Sequence, residues 1–135
     1  MKKTYLLLPT FLILAFSGYT QEKQISKKEL IIKKVLTPRD LIRIDLNPIM
    51  NSCAGLPNNY GTWATVKQKI VNLLFSKWKY GGVLKGTKAE EAYFVNVGTQ
   101  TMTQNDVDKG KLIVLVGLAM IRPAEFEIIK LEKQL

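Results

Sequence analysis

The run KLIVLVGLAMI, residues 111 to 121, sets the tightest limit on what this chain can fold into. It is apolar at consecutive positions, so both of its faces need cover, which suits a central β-strand. Gly117 inside it marks a bulge or a close backbone approach. A central strand needs partners on either side. AYFVNVG (92–98) alternates, with Tyr93, Val95 and Val97 on one face and Phe94 on the other. After a break at Arg122-Pro123, AEFEIIKL (124–131) reads as the last strand.

One long helix precedes these strands. Asn58 or Asn59 can cap it, and Trp63, Val66, Ile70, Leu73, Leu74 and Trp78 recur at three- and four-residue spacing. Gly81-Gly82 follows the last periodic residue, where a helix stop belongs. A turn is expected over LKGTKAEEA, with one short helical turn around Ala89-Glu90-Glu91. Thr103 or Asn105 is placed to open another. Upstream, Ile42, Ile44 and Leu46 alternate with Leu41, Arg43 and Asp45, the pattern of a half-buried strand, and NPIMNSCAGLPNNYG reads as a loop. These elements predict an α+β fold: a small mixed sheet packed by one long amphipathic helix.

The N-terminus has its own logic. Lys2 and Lys3 precede an apolar run from Tyr5 to Phe16, followed by small and polar residues. That is the order of a secretory signal peptide, over residues 1–20, and the run is too short for a membrane span, which needs about 20 residues. Residues 21–55 then read as an N-terminal arm with short strands, and residues 56–135 as the main domain. Such a leader points to export, with no membrane contact after cleavage.

The formal net charge is +9, but the lysines lie singly and in pairs along the chain. Nucleic-acid binding favours a dense patch interleaved with stacking aromatics, so an acidic protein surface is the better partner. There is no histidine and one cysteine, Cys53, which removes histidine-based catalysis, disulfide frameworks and most zinc sites. GGVLKGTK (81–88) imitates a phosphate-binding loop, but its Thr and Lys are in the wrong order and it follows a helix. Asp106 and Asp108 lack the further oxygens and distal Glu of a calcium loop. Glu90-Glu91 and Glu125/Glu127 could pair as hydrolytic carboxylates, though nothing makes either pair converge on a cleft. No catalytic, metal or cofactor site is expected.

From Leu56 to Leu131 the chain resembles the C-terminal domain of contractile phage tail sheath proteins. The blocks that carry this are LPNNYGTWATVKQKIVNLLFSKWKYGGVLKGTKAEEAYFVNV and TMTQNDVDKGKLIVLVGLAMIRPAEFEIIKL, in the family's order and spacing. Where the family usually has an apolar, often Phe-containing strand before the Asn turn, this chain has NSCAGLPNN. The resemblance implies a non-enzymatic structural protein, part of a virion or related contractile injection system. Such subunits form rings around an inner tube and exchange terminal strands with their neighbours. It implies a homo-oligomer with an inner tube protein as partner and no nucleic acid. Carried over, Pro123, Ala124, Glu125, Phe126, Ile128 and Leu131 belong to the exchanged arm. Lys67, Lys69, Lys77 and Lys79 are the tube-facing candidates on the helix. Sheaths assemble in the cytoplasm, so the resemblance and the leader point to different compartments. The alternative is a secreted or periplasmic binding module that keeps the fold without polymerising.

Overall fold

The computed structural model describes residues 36–135, so the leader expected over 1–20 and the arm up to residue 35 lie outside the described residues. Pro38–Leu135 form one compact unit. Its elements run α1 (Pro38–Asn51), α2 (Tyr60–Lys79), α3 (Ala89–Ala92), β1 (Tyr93–Val97), α4 (Gln104–Asp108), β2 (Lys111–Leu118) and β3 (Glu127–Gln134). The α+β class is as expected, with the sheet antiparallel throughout, in the order β1-β2-β3.

α2 follows its sequence signals. Asn59 adopts an extended backbone and its side chain accepts from Thr62 N at 3.2 Å, satisfying one of the orphan donors of the first turn. Thr62, Val66, Ile70 and Leu74 form the buried stripe, with Trp63, Leu73 and Trp78 half-buried beside it. Fully burying a side chain such as Ile70 or Leu74 contributes about 1.5–3 kcal/mol over leaving it in water. Beyond the helix, Gly82 takes φ +63°, a left-handed conformation that costs a glycine nothing.

α1 corrects the sequence reading. The strand expected over 41–46, and the first part of the loop after it, are one helix of 14 residues. Ile42, Leu46 and Met50 point inward at four-residue intervals, while Ile44, which a strand would have buried with Ile42 and Leu46, is 50% exposed. Thr37-Pro38-Arg39-Asp40 carries the signals that decide for a helix. A Thr precedes the helix, Pro is its first residue, where no N–H is required, and Asp40 sits in the positive first turn. Pro48 lies inside the helix near its C-terminal end, and the chain still closes a turn there, Ser52 N donating to Pro48 O at 3.0 Å.

Both long helices pack on one face of the sheet. That face presents Tyr93, Val95, Leu112, Val114, Val116, Leu118, Ile129 and Leu131, which are buried together with the inward residues of α1 and α2. α1 contacts α2 and β3, and it runs in the direction of β3. Its start reaches the start of the strand through Arg39, and Asn51 at its end accepts from Lys133 Nζ at 3.1 Å. On the opposite face, α4 contacts β2, and Ile113 there is buried. Phe94 lies across Gly117, where a Cβ would meet its ring at 2.1 Å. That close approach is the reason for the glycine in an otherwise bulky strand.

Candidate assembly surfaces

Chemistry-bearing side chains are mostly spent on local structure. Thr103 and Asp106 form a capping box at the start of α4: Thr103 N donates to Asp106 Oδ2 at 2.9 Å and Asp106 N donates back to Thr103 Oγ1. Asp108 accepts from Gln104 Nε2 at 2.8 Å. Glu91 Oε2 accepts from Thr87 N at 2.9 Å, from Thr87 Oγ1 and from Lys88 N. These donors, the Thr87 N–H first, hold the Glu91 carboxyl below its ordinary pKa, and the Thr103 N–H does the same for Asp106. Cys53 is buried, its Sγ donating to Ile49 O at 3.3 Å. Among the described residues no three His, Cys, Asp or Glu side chains group to hold a metal ion. No helix among them is long and apolar enough to cross a membrane.

The four candidate lysines share α2, a helix with no acidic residue, but they are not equivalent. Lys77 pairs with Asp45 of α1, and Lys69 Nζ approaches Ser52 Oγ at 3.4 Å. Lys79 lies over the Trp78 ring, 5.9 Å from its centroid. Lys67 lines a groove of about 490 Å³ with Tyr60, Trp63, Ala64, Gln68, Val71 and Val97. Tyr60 on its rim is 80% exposed, and Trp63 is fixed by its Nε1 donating to Asn58 Oδ1 at 2.6 Å.

The candidate arm is divided by function within the chain. Pro123 and Glu125 are exposed, and Ala124 has φ 60° with its N–H held by Glu91 O at 2.8 Å. Phe126 packs edge-on against Phe94, centroids 5.0 Å apart. From Glu127 onward the arm is β3, paired with β2 of its own chain from Leu118↔Glu127 to Lys111↔Gln134. Leu131 therefore joins the core at 4% exposure, while Ile128 lies on the other face at 45%.

The ladder geometry also fixes what each sheet edge offers. Ala119 N donates to Ala92 O, and antiparallel bonding alternates, so Phe94 and Asn96 bond to β2 while Tyr93, Val95 and Val97 turn their backbone groups outward. Tyr93 N–H is spent on Ala89 O. At the other edge Leu135 N donates to Gly110 O, so Glu127, Ile129, Leu131 and Lys133 bond to β2. Ile128, Lys130, Glu132 and Gln134 then face outward. Arg39 meets that edge: Nη1 is 2.9 Å from Glu127 Oε1, and Nη2 donates to Ile128 O at 3.4 Å. Sequence reasoning missed Arg39 because residues 21–55 read as an arm with short strands, not as the helix that carries it.

No protein-family model and no curated protein matches the chain. Among solved structures it is similar to a chain of the anti-feeding prophage (AFP) baseplate, at 42% identity and TM-score 0.58 over 71% of this chain and 27% of that one. A chain of the PVC sheath complex, an extracellular contractile injection system in its contracted state, shows 45% identity and TM-score 0.56 over 67% of this chain and 25% of that one. This chain thus spans about a quarter of the length of the solved chains it matches. With 42–45% identity over two thirds or more of its length, the protein holds a sheath-related domain of the contractile injection systems.

Proposed function

We propose that this chain is a non-enzymatic assembly module that builds a ring or helical sheath around an inner tube by exchanging its C-terminal strand between subunits. The observation that carries the reading is the 42–45% identity to chains of baseplate and sheath complexes. The arm supports the exchange. β3 is the last element, it is joined to the body through a segment containing Pro123 and the left-handed Ala124, and one ladder holds it in the sheet. Seating β3 on a neighbour's β2 would reproduce every contact it makes at home, so the exchange costs little beyond rearranging residues 119–126. Each subunit both gives and receives a strand, and the contact propagates head to tail.

The acid-free α2 supports a tube-facing role. Lys67 and Lys79 are its available cations, because Lys77 is engaged by Asp45 and Lys69 by Ser52. They would steer the helix onto an acidic tube surface, a contact that weakens with salt. Electron microscopy of the purified chain, alone and with an acidic tube protein, tests the reading. Rings or helical tubes that enclose the tube protein, and that lose the tube but not their own assembly when both lysines are replaced by Glu, are the expected result. A protein that stays monomeric at high concentration with and without the tube overturns it.

A further inference from the structure

We propose that Arg39 guards the outer edge of β3, and that withdrawing it lets a second copy of this chain pair with that edge, β3 to β3 and antiparallel. An eight-residue edge strand presents a row of backbone donors and acceptors, the arrangement that folded proteins protect from unwanted pairing. Here the outward groups belong to Ile128, Lys130, Glu132 and Gln134. Arg39, from a different element, reaches around to this edge. One of its guanidinium nitrogens sits on the Ile128 carbonyl and the other is pinned by Glu127. The acceptor it occupies is one that an incoming strand would need.

The side chains on this edge specify a partner. If two β3 strands pair about a twofold axis at Leu131, Lys130 of each lies opposite Glu132 of the other, on the face away from the helices, and Ile128 lies opposite Gln134. Opposite charges directly across an antiparallel pair stabilise it, and the symmetry supplies the pair twice. Within one chain Lys130 and Glu132 already pair at 2.8 Å, along the strand. The same two groups can therefore satisfy each other at home or across the edge, and the guard decides the outcome at the Ile128 carbonyl. By the same symmetry, two copies of Arg39 block each dimer.

This edge contact is distinct from strand exchange. In an exchange, β3 bonds to a neighbour's β2 through Glu127, Ile129, Leu131 and Lys133, and the outward amides stay outward. Edge pairing instead covers the amides of Ile128, Lys130, Glu132 and Gln134. Hydrogen exchange at those four amides therefore separates the two, whether or not the chain also assembles by exchange.

The test compares the full chain with Arg39→Ala by sedimentation over a wide concentration range and by hydrogen exchange at the four amides. Removing two weak guarding contacts per dimer should tighten self-association about tenfold. Protection of the four amides should appear and rise with concentration. Glu127→Gln, which unpins the guanidinium, should give a smaller change in the same direction. Adding Lys130→Glu to Arg39→Ala opposes like charges twice and should return the protein to wild-type behaviour. The further change Glu132→Lys should restore association. The proposal is overturned if Arg39→Ala melts normally but sediments as wild type with the four amides unprotected. It is equally overturned if its association survives Lys130→Glu unchanged.

Discussion

The two edges of the sheet are built differently. β1 offers a short edge of five residues, with the Tyr93 N–H already spent and only Val95 and Val97 turned fully outward. Among the described residues it carries no guard, and the groove lined by Trp63, Lys67 and Val71 opens beside it at Val97. β3 offers eight residues, and there the chain places Arg39 on a carbonyl and a Lys130–Glu132 pair along the flank. A short edge gives little purchase for pairing and needs less protection, whereas a long one needs charge to keep it single. The difference also extends to the core, because β3 contributes Ile129 and Leu131 to it. The strand proposed for exchange is one the body depends on.

The largest expected effect tests that dependence. Ile129→Ala should destabilise the chain by about 2–5 kcal/mol, as truncation of a fully buried aliphatic side chain does. Ile128→Ala, one residue away on the opposite face, should change stability by no more than about 0.5 kcal/mol. Chemical denaturation of both variants checks the pair. Equal losses would mean that the helices do not cover the face assigned to them.

Next in size is Gly117→Val. The new side chain must displace the Phe94 ring, and with it the edge-on packing of Phe126 that seats the start of β3. Overpacking of this kind costs about 1–3 kcal/mol. Protease cutting within residues 119–126 should rise with it. A protein that stays as resistant as wild type would show that Phe126 does not tether the arm.

A pair of prolines then probes the open edge itself. Asn96→Pro removes a donor to Leu115 and should cost about 1–3 kcal/mol for the orphaned acceptor. Val97→Pro removes a donor that points away from β2, so its loss should be clearly smaller. The reverse order, read from thermal melts, would invert the ladder phase and the edge assignment with it.

Much of this was legible in the residues, and the failures are instructive. α2 announced itself through Asn59, a stripe spanning about four turns and Gly81-Gly82, signals that agree with one another. β2 was legible because no surface strand has KLIVLVGL on both faces. α1 was not, because every fourth position of a helix is also an even position of a strand. Ile42, Leu46 and Met50 satisfy both periods, and the Thr37-Pro38 start is what distinguishes them. Within the candidate arm, Glu127 to Leu131 were legible as strand while Pro123 to Phe126 lie outside it, and the partner was not legible. The sequence of β3 is the same whether it pairs with its own β2 or a neighbour's, since the contacts are identical. Lys67 and Lys77 look alike in sequence, and only the placement of Asp45 tells them apart.

The smallest expected effect concerns pH, and it sharpens the contrast between how the two edges are entered. The approach to β1 rests on Glu91, whose carboxylate accepts from the Thr87 and Lys88 N–H groups and whose backbone carbonyl holds Ala124. Those donors lower the carboxyl pKa from 4.5 in the folded chain, so the stability they supply is present above that value and is lost as pH falls through the lowered one. Along β3, Lys130 lowers Glu132 in the same way, and Glu132 in turn raises Lys130 above 10.5. The Lys130 contribution is present below 10.5 and is lost as pH rises through the raised value. Stability should therefore be flat between these limits and fall gently outside them, since all three groups are exposed and screened. Glu91→Gln should flatten part of the acid limb and leave the alkaline limb alone, and Lys130→Gln should affect both. Denaturation midpoints across the pH range decide it. An acid limb unchanged by Glu91→Gln would show that the α3 cap is not what anchors the entry to β1.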